Sequence, residues 1–141
     1  MEKVVEKYGD KIGFYYMQFP LREQTAVLSL AALAAHEQGK FWPMHDLLFK
    51  NQSSITMEKV SGFAKELGMN GEKFQKDLFS DSLKAEVQRQ RAVGEKAEIS
   101  GTPALFVNGK QFLGEKTIET LSEAIDAQLA AEPEDKTDDK K

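Results

Sequence analysis

From about Gln24 to Lys96 the apolar residues recur at three- and four-residue steps, and on both sides of this block the pattern becomes that of a strand. That switch restricts the chain to an α/β architecture in which an all-helical block is set between strand-bearing ends. At 141 residues the sequence fits one globular domain, the usual range being roughly 100–200 residues. No internal repeat is visible.

The ends are read first. Val4, Val5 and Tyr8 share one face of a short helix that Gly9 closes. Ile12 to Phe19 is aromatic and apolar nearly throughout, the pattern of a strand covered on both faces, and Pro20 ends it. After Gly101, residues 104–107 and 111–113 flank Asn108-Gly109, a dipeptide suited to the positive φ of a type I′ hairpin. Thr117 then caps a helix with Ile118, Leu121, Ile125 and Leu129 on one stripe. Residues 132–141 hold five acids and three lysines with no core-forming side chain, so they are expected to be disordered.

Within the helical block, Ala26, Val27, Leu30, Leu33 and Ala34 form the first stripe, ended by Gly39. Pro43 suits the first turn of a second helix carrying Leu47, Leu48 and Phe49. Thr56, Asn70 and Asp81 are the expected N-caps of three more, with Val60, Phe63, Ala64 and Leu67, then Phe74 and Leu78, then Leu83 and Val87 facing inward. The expected organisation is therefore residues 1–23 with 97–131 as one subdomain, 24–96 as the helical insertion, and 132–141 as an acidic tail.

Composition excludes several functions. No apolar run approaches the roughly 18 residues of a membrane span. The net charge of −4 with scattered cations argues against a nucleic-acid partner. The N-terminus has no apolar leader region. His36 and His45 fit no metal-ligand spacing, so no metal and no cofactor is expected. His45 beside Asp46 invites an acid-base reading, but no nucleophile elbow accompanies it. A surface or half-buried histidine with a satisfied ring nitrogen is the expectation, and Phe41, Trp42 and Phe49 are expected to be core anchors.

Two segments carry a resemblance. Glu37-Gln-Gly-Lys-Phe-Trp-Pro-Met-His-Asp-Leu-Leu-Phe-Lys-Asn-Gln52 and Ser100-Gly-Thr-Pro-Ala-Leu-Phe-Val-Asn-Gly109 resemble the DsbA-like branch of the thioredoxin superfamily, whose members are thiol-disulfide oxidoreductases. The resemblance implies a thioredoxin-like fold with an inserted helical subdomain. It implies a cis Thr102-Pro103 peptide and a loop of Gly101, Thr102 and Pro103 that holds a polypeptide substrate or partner protein. It also implies a Cys-x-x-Cys pair at the start of a long helix. This chain has no cysteine at all, so no catalytic residue is assigned.

Dithiol exchange needs a thiolate nucleophile and a resolving thiol, so the chain as written is redox-inactive. Two accounts follow: an oxidoreductase shortened at its N-terminus, by a displaced start or by an in-frame UGA at a selenocysteine, or a redox-inactive peptide-binding module of the same fold. The first implies an extracytoplasmic protein if the longer form is exported, the second a cytoplasmic one if Met1 is the true start. A relation to kappa-class glutathione transferases and isomerases is a weaker third reading. By the resemblance the missing strand is central, and the gap can be filled by direct antiparallel closure, by a strand from a second copy, or by dimerisation through exposed edges, a homodimer being slightly favoured.

Overall fold

The computed structural model describes residues 2–131. The acidic segment expected at 132–141 lies outside them. The chain divides into two compact units, Met17–Thr102 and Met1–Tyr16 with Pro103–Lys141.

The unit Met17–Thr102 is helical. Its elements are α2 (Glu23–His36), α3 (Phe41–Lys50), α4 (Met57–Glu66), α5 (Gly71–Leu78) and α6 (Asp81–Lys96). Helix α2 packs against α3, α5 and α6. Ala31, Ala32, Ala34 and Ala35 are all buried, and side chains this short let the neighbouring helices approach α2 closely. Met44 and Leu48 of α3, Val60 and Ala64 of α4, Phe74 and Leu78 of α5 and Leu83 and Val87 of α6 complete one continuous core. Each fully buried large side chain there contributes about 1.5–3 kcal/mol relative to exposure.

Local sequence sets the helix ends. Thr56 and Asn70 side chains accept from the backbone N–H of Lys59 (3.2 Å) and Lys73 (2.9 Å), satisfying donors that the first turn leaves orphaned. The cap of α6 is Ser80, one residue before the expected Asp81, its hydroxyl accepting from Leu83 N at 3.2 Å. Helices α2 and α4 end in Schellman turns with Gly39 and Gly68, both at φ +68°.

The other unit holds α1 (Glu2–Tyr8), β1 (Leu105–Val107), β2 (Lys110–Phe112) and α7 (Ile118–Ala131). β1 and β2 pair antiparallel with Leu105 opposite Phe112 and Val107 opposite Lys110. Asn108 (φ +46°) and Gly109 (φ +77°) supply the two positive angles that a type I′ turn requires. Thr117 caps α7 by accepting from Thr120 N at 3.2 Å. Val4, Tyr8 and Leu121 are buried, packed by Ile12, Leu105, Phe112, Ile125 and Leu129. The Tyr8 hydroxyl lies 2.7 Å from Asp126 Oδ1 and 3.0 Å from the Ser122 carbonyl, tying α1 to α7.

Two expectations are corrected. Ile12 to Phe19 is not a buried strand: the sheet of the described residues has two strands, β1 and β2, and Tyr15 is 86% exposed. A run apolar on both faces is stable as a strand only when both its edges and both its faces are covered, and here the last part of the run leans on a helix instead. Trp42 and Phe49 are not core anchors either, being 47% and 54% exposed. Helix α3 turns Met44 and Leu48 inward, one turn apart, and that choice of face sends Trp42 and Phe49 outward.

Candidate functional site

The loop Gly101-Thr102-Pro103 connects α6 to β1. Gly101 is half-buried, and Thr102 and Pro103 are exposed. Its direction is set at the end of α6. Ile99 N donates to Gly94 O at 3.1 Å and Glu98 N to Glu95 O at 3.0 Å, a Schellman pair that requires the left-handed conformation at Glu98. Glu98 adopts it at φ +54°, where a side chain costs roughly 1–2 kcal/mol relative to a right-handed residue. The loop is thus launched from a backbone bend held against its own preference.

The extended segment that precedes α2 is fixed on α6 at two points one helical turn apart. Gln18 is buried, and its backbone N–H donates to Gln90 Oε1 at 2.6 Å. Gln90 Nε2 donates in turn to Glu86 Oε1 at 2.7 Å, and Arg89 donates to both carboxylate oxygens of Glu86, at 2.7 and 2.6 Å. These bonds, from Arg89 first and Gln90 second, hold the Glu86 carboxyl down at about 2. The second point is Gly94, where a Cβ would lie 2.6 Å from Phe19 Cδ2 and 3.3 Å from Ile99 Cδ1. Phe19 therefore lies directly on the helix backbone. Neither Gln90 nor Gly94 stands out among the apolar positions of the sequence; a glycine one turn beyond Gln90, on the stripe of Leu83 and Val87, was the available signal.

An aromatic row runs along α3. The His45 ring centroid lies 5.5 Å from that of Trp42 and 4.5 Å from that of Phe49, and Phe41 stands edge-on to Trp42 at 4.9 Å. His45 Nδ1 is 3.0 Å from Asp46 Oδ1, and its side chain is largely covered. This is the satisfied, part-buried histidine expected. Among the described residues no group of three His, Cys, Asp or Glu side chains converges as a metal site, and no helix is long and apolar enough to cross a membrane.

The chain is mostly helical with one small two-stranded sheet, and solved structures of thioredoxin-like proteins share its fold. A thioredoxin-like oxidoreductase from Silicibacter pomeroyi DSS-3 superposes with TM-score 0.77 at 25% identity, covering 93% of this chain and 76% of that one. The thiol-disulfide exchange protein α-DsbA2 from Wolbachia pipientis has the same fold, with TM-score 0.77 at 16% identity over 90% of this chain and 72% of that one.

The chain belongs to the family described as Thioredoxin, whose model it matches over residues 1–127. Within it the likeness is to the DsbA-like members, and the chain, having no cysteine, lacks the thiols of their chemistry. A probable disulfide bond formation protein D from Bacillus anthracis is 29% identical over 141 residues, which cover 92% of this chain and 64% of that protein. The Na(+)/H(+) antiporter NhaA of Herminiimonas arsenicoxydans is 30% identical over 120 residues, 85% of this chain. The chain spans about a fifth of the length of the antiporter relatives it matches.

Proposed function

We propose that this chain is the scaffold of a DsbA-like thiol-disulfide oxidoreductase, and that Gly101, Thr102 and a cis Pro103 form the wall on which an extended polypeptide is held beside a thiol pair supplied by sequence outside these 141 residues. The observation that carries the reading is the Gly-Thr-Pro-Ala loop leading straight into the hairpin of a thioredoxin-family protein that has no cysteine. Backbone groups beside such a proline can pair with an extended peptide as an added strand does, giving affinity through the main chain with little demand on sequence.

The test is the intact mass of the native protein from its source, with its terminal peptides mapped. A heavier species carrying Cys-x-x-Cys, or selenocysteine in the first position, supports the reading. Recombinant protein with that segment should then reduce or oxidise a model disulfide, and Pro103→Ala should weaken capture of reduced, unfolded polypeptide by tenfold or more, the loss of about 1.4 kcal/mol. A native species that begins at Met1 and has no thiol removes it.

One observation favours a second reading. The two-stranded sheet leaves Phe106 and Leu113 exposed, 40% and 84%, and a redox-inactive binding module of this sequence would cover them by pairing as a homodimer. Sedimentation equilibrium separates the two: a concentration-independent monomer of the 141-residue chain disposes of the dimer.

A further inference from the structure

The chain contains two Asn-Gly dipeptides, Asn70-Gly71 and Asn108-Gly109, and the structure treats them in opposite ways. We propose that Asn108 is a site of spontaneous covalent modification, deamidation to aspartate and isoaspartate, and that Asn70 is protected from the same chemistry by its place in the fold. The reaction begins when the Gly109 backbone nitrogen attacks Asn108 Cγ. The N–Cγ bond forms as the Cγ–Nδ2 bond breaks, and the proton lost by the Gly109 nitrogen leaves with Nδ2 as ammonia. Water then opens the cyclic imide at either carbonyl, giving aspartate or isoaspartate, with no change in oxidation state. Glycine in the following position favours the attack because no Cβ shields its nitrogen.

Asn70 is held at every group the reaction must move. Its Oδ1 accepts from Lys73 N at 2.9 Å as the N-cap of α5. Its backbone N–H donates to Gln38 Oε1 at 2.8 Å, and its carbonyl accepts from Gln38 Nε2 at 3.1 Å and from Phe74 N at 2.9 Å. Gly71 is the first residue of the helix, so swinging its nitrogen onto the Asn70 side chain unwinds the first turn. Asn108 sits on an exposed turn joining two three-residue strands. Its amide Nδ2 donates a long bond to Gln128 Oε1 at 3.4 Å. Opening a turn with so little ladder behind it belongs to the low end of local unfolding free energies.

The product matters to the hairpin. Isoaspartate adds a methylene to the main chain inside the turn, and a shifted register turns Leu105 and Phe112 away from α7. Leu105, the first residue of β1, lies two residues after Pro103, so the modification reaches the loop through β1.

The experiment incubates the full 141-residue chain in mildly alkaline buffer and digests it at lysine, which places the two asparagines on separate peptides, 66–73 and 97–110. Each is followed by the mass change of an amide becoming an acid and by enzymatic methylation of isoaspartate. Conversion at Asn108 is expected to run about fivefold or more ahead of Asn70, the factor that a typical N-cap supplies. Gln38→Ala should speed conversion at Asn70 and leave Asn108 unchanged. Equal rates, a faster rate at Asn70, or an intact Asn108 over a time in which a synthetic 97–110 peptide converts would overturn the proposal, as would a Gln38→Ala chain in which Asn70 is no faster.

Discussion

The two units solve the same burial problem with unequal means. Met17–Thr102 carries thirteen buried residues in one core built from five helices, every helix contributing. The apolar core of the other unit has three buried residues, Val4, Tyr8 and Leu121, beside a two-stranded sheet, and part of its cohesion comes from a tyrosine hydroxyl. The helical unit has the apolar area to be stable on its own account, whereas a two-stranded hairpin is marginal without a covering layer. The helical unit therefore has a core of its own, while the two-stranded sheet depends on the helices that cover it.

The largest effect should come from opening the stronger unit. Phe74 is completely buried, and Phe74→Ala should cost about 3–5 kcal/mol, read as a fall in the denaturant midpoint of the helical signal. An unchanged midpoint would mean that α5 is not part of the cooperative core. In the weaker unit Tyr8→Phe should cost about 1.5–3 kcal/mol, the scale of a hydrogen bond to a charged group. Because that unit has less to lose, its amides on β1 and β2 should exchange sooner than those of α2, and the gap should widen in the variant. If the two sets exchange together before and after the change, the two units unfold as one and the contrast fails.

A smaller effect has the opposite sign. Glu98→Gly removes a side chain from a left-handed residue and should stabilise the protein by up to about 1 kcal/mol, seen as a higher thermal midpoint with no change in helix content. The smallest is a pH effect. The folded carboxyl of Glu86 lies at about 2, below its unfolded value. Its contribution is therefore complete above the unfolded pKa and disappears as pH falls toward 2. Glu86 is half-buried but its partner Arg89 is exposed, so salt should diminish the effect. Glu86→Gln should flatten this part of the acid-unfolding profile and leave the neutral range nearly unchanged.

Much of this was legible in the residues because the signals are local. Asn108-Gly109 specifies its own turn, and Thr56, Asn70 and Thr117 declare helix starts through a side-chain oxygen placed three residues before an orphan N–H. Ser80 and Asp81 are both competent caps side by side, and only the packing of Leu83 and Val87 decides between them. The aromatic row on α3 misled for a related reason: size suggested that Trp42 and Phe49 were core, but the inward face is fixed by which stripe meets α2. The segment Ile12 to Phe19 was out of reach for a deeper cause. Whether an apolar extended run becomes a strand depends on neighbours supplied from elsewhere in the structure. The Gly101-Thr102-Pro103 loop was recognisable as a motif, while the Glu98 bend that aims it depends on a conformation few residues adopt.

The tie between Gln18 and α6 has a polarity. Turning the Gln90 side-chain amide end for end would set its NH2 against the Gln18 N–H and its oxygen against the Glu86 carboxylate, two repulsions in place of two bonds. An ionised Glu86 can only accept, so it dictates which end of the amide faces inward. A surface carboxylate thereby reports its charge, through a neutral side chain, to a buried main-chain proton, and the Gln18 amide resonance becomes a remote indicator of whether Glu86 has gained its proton.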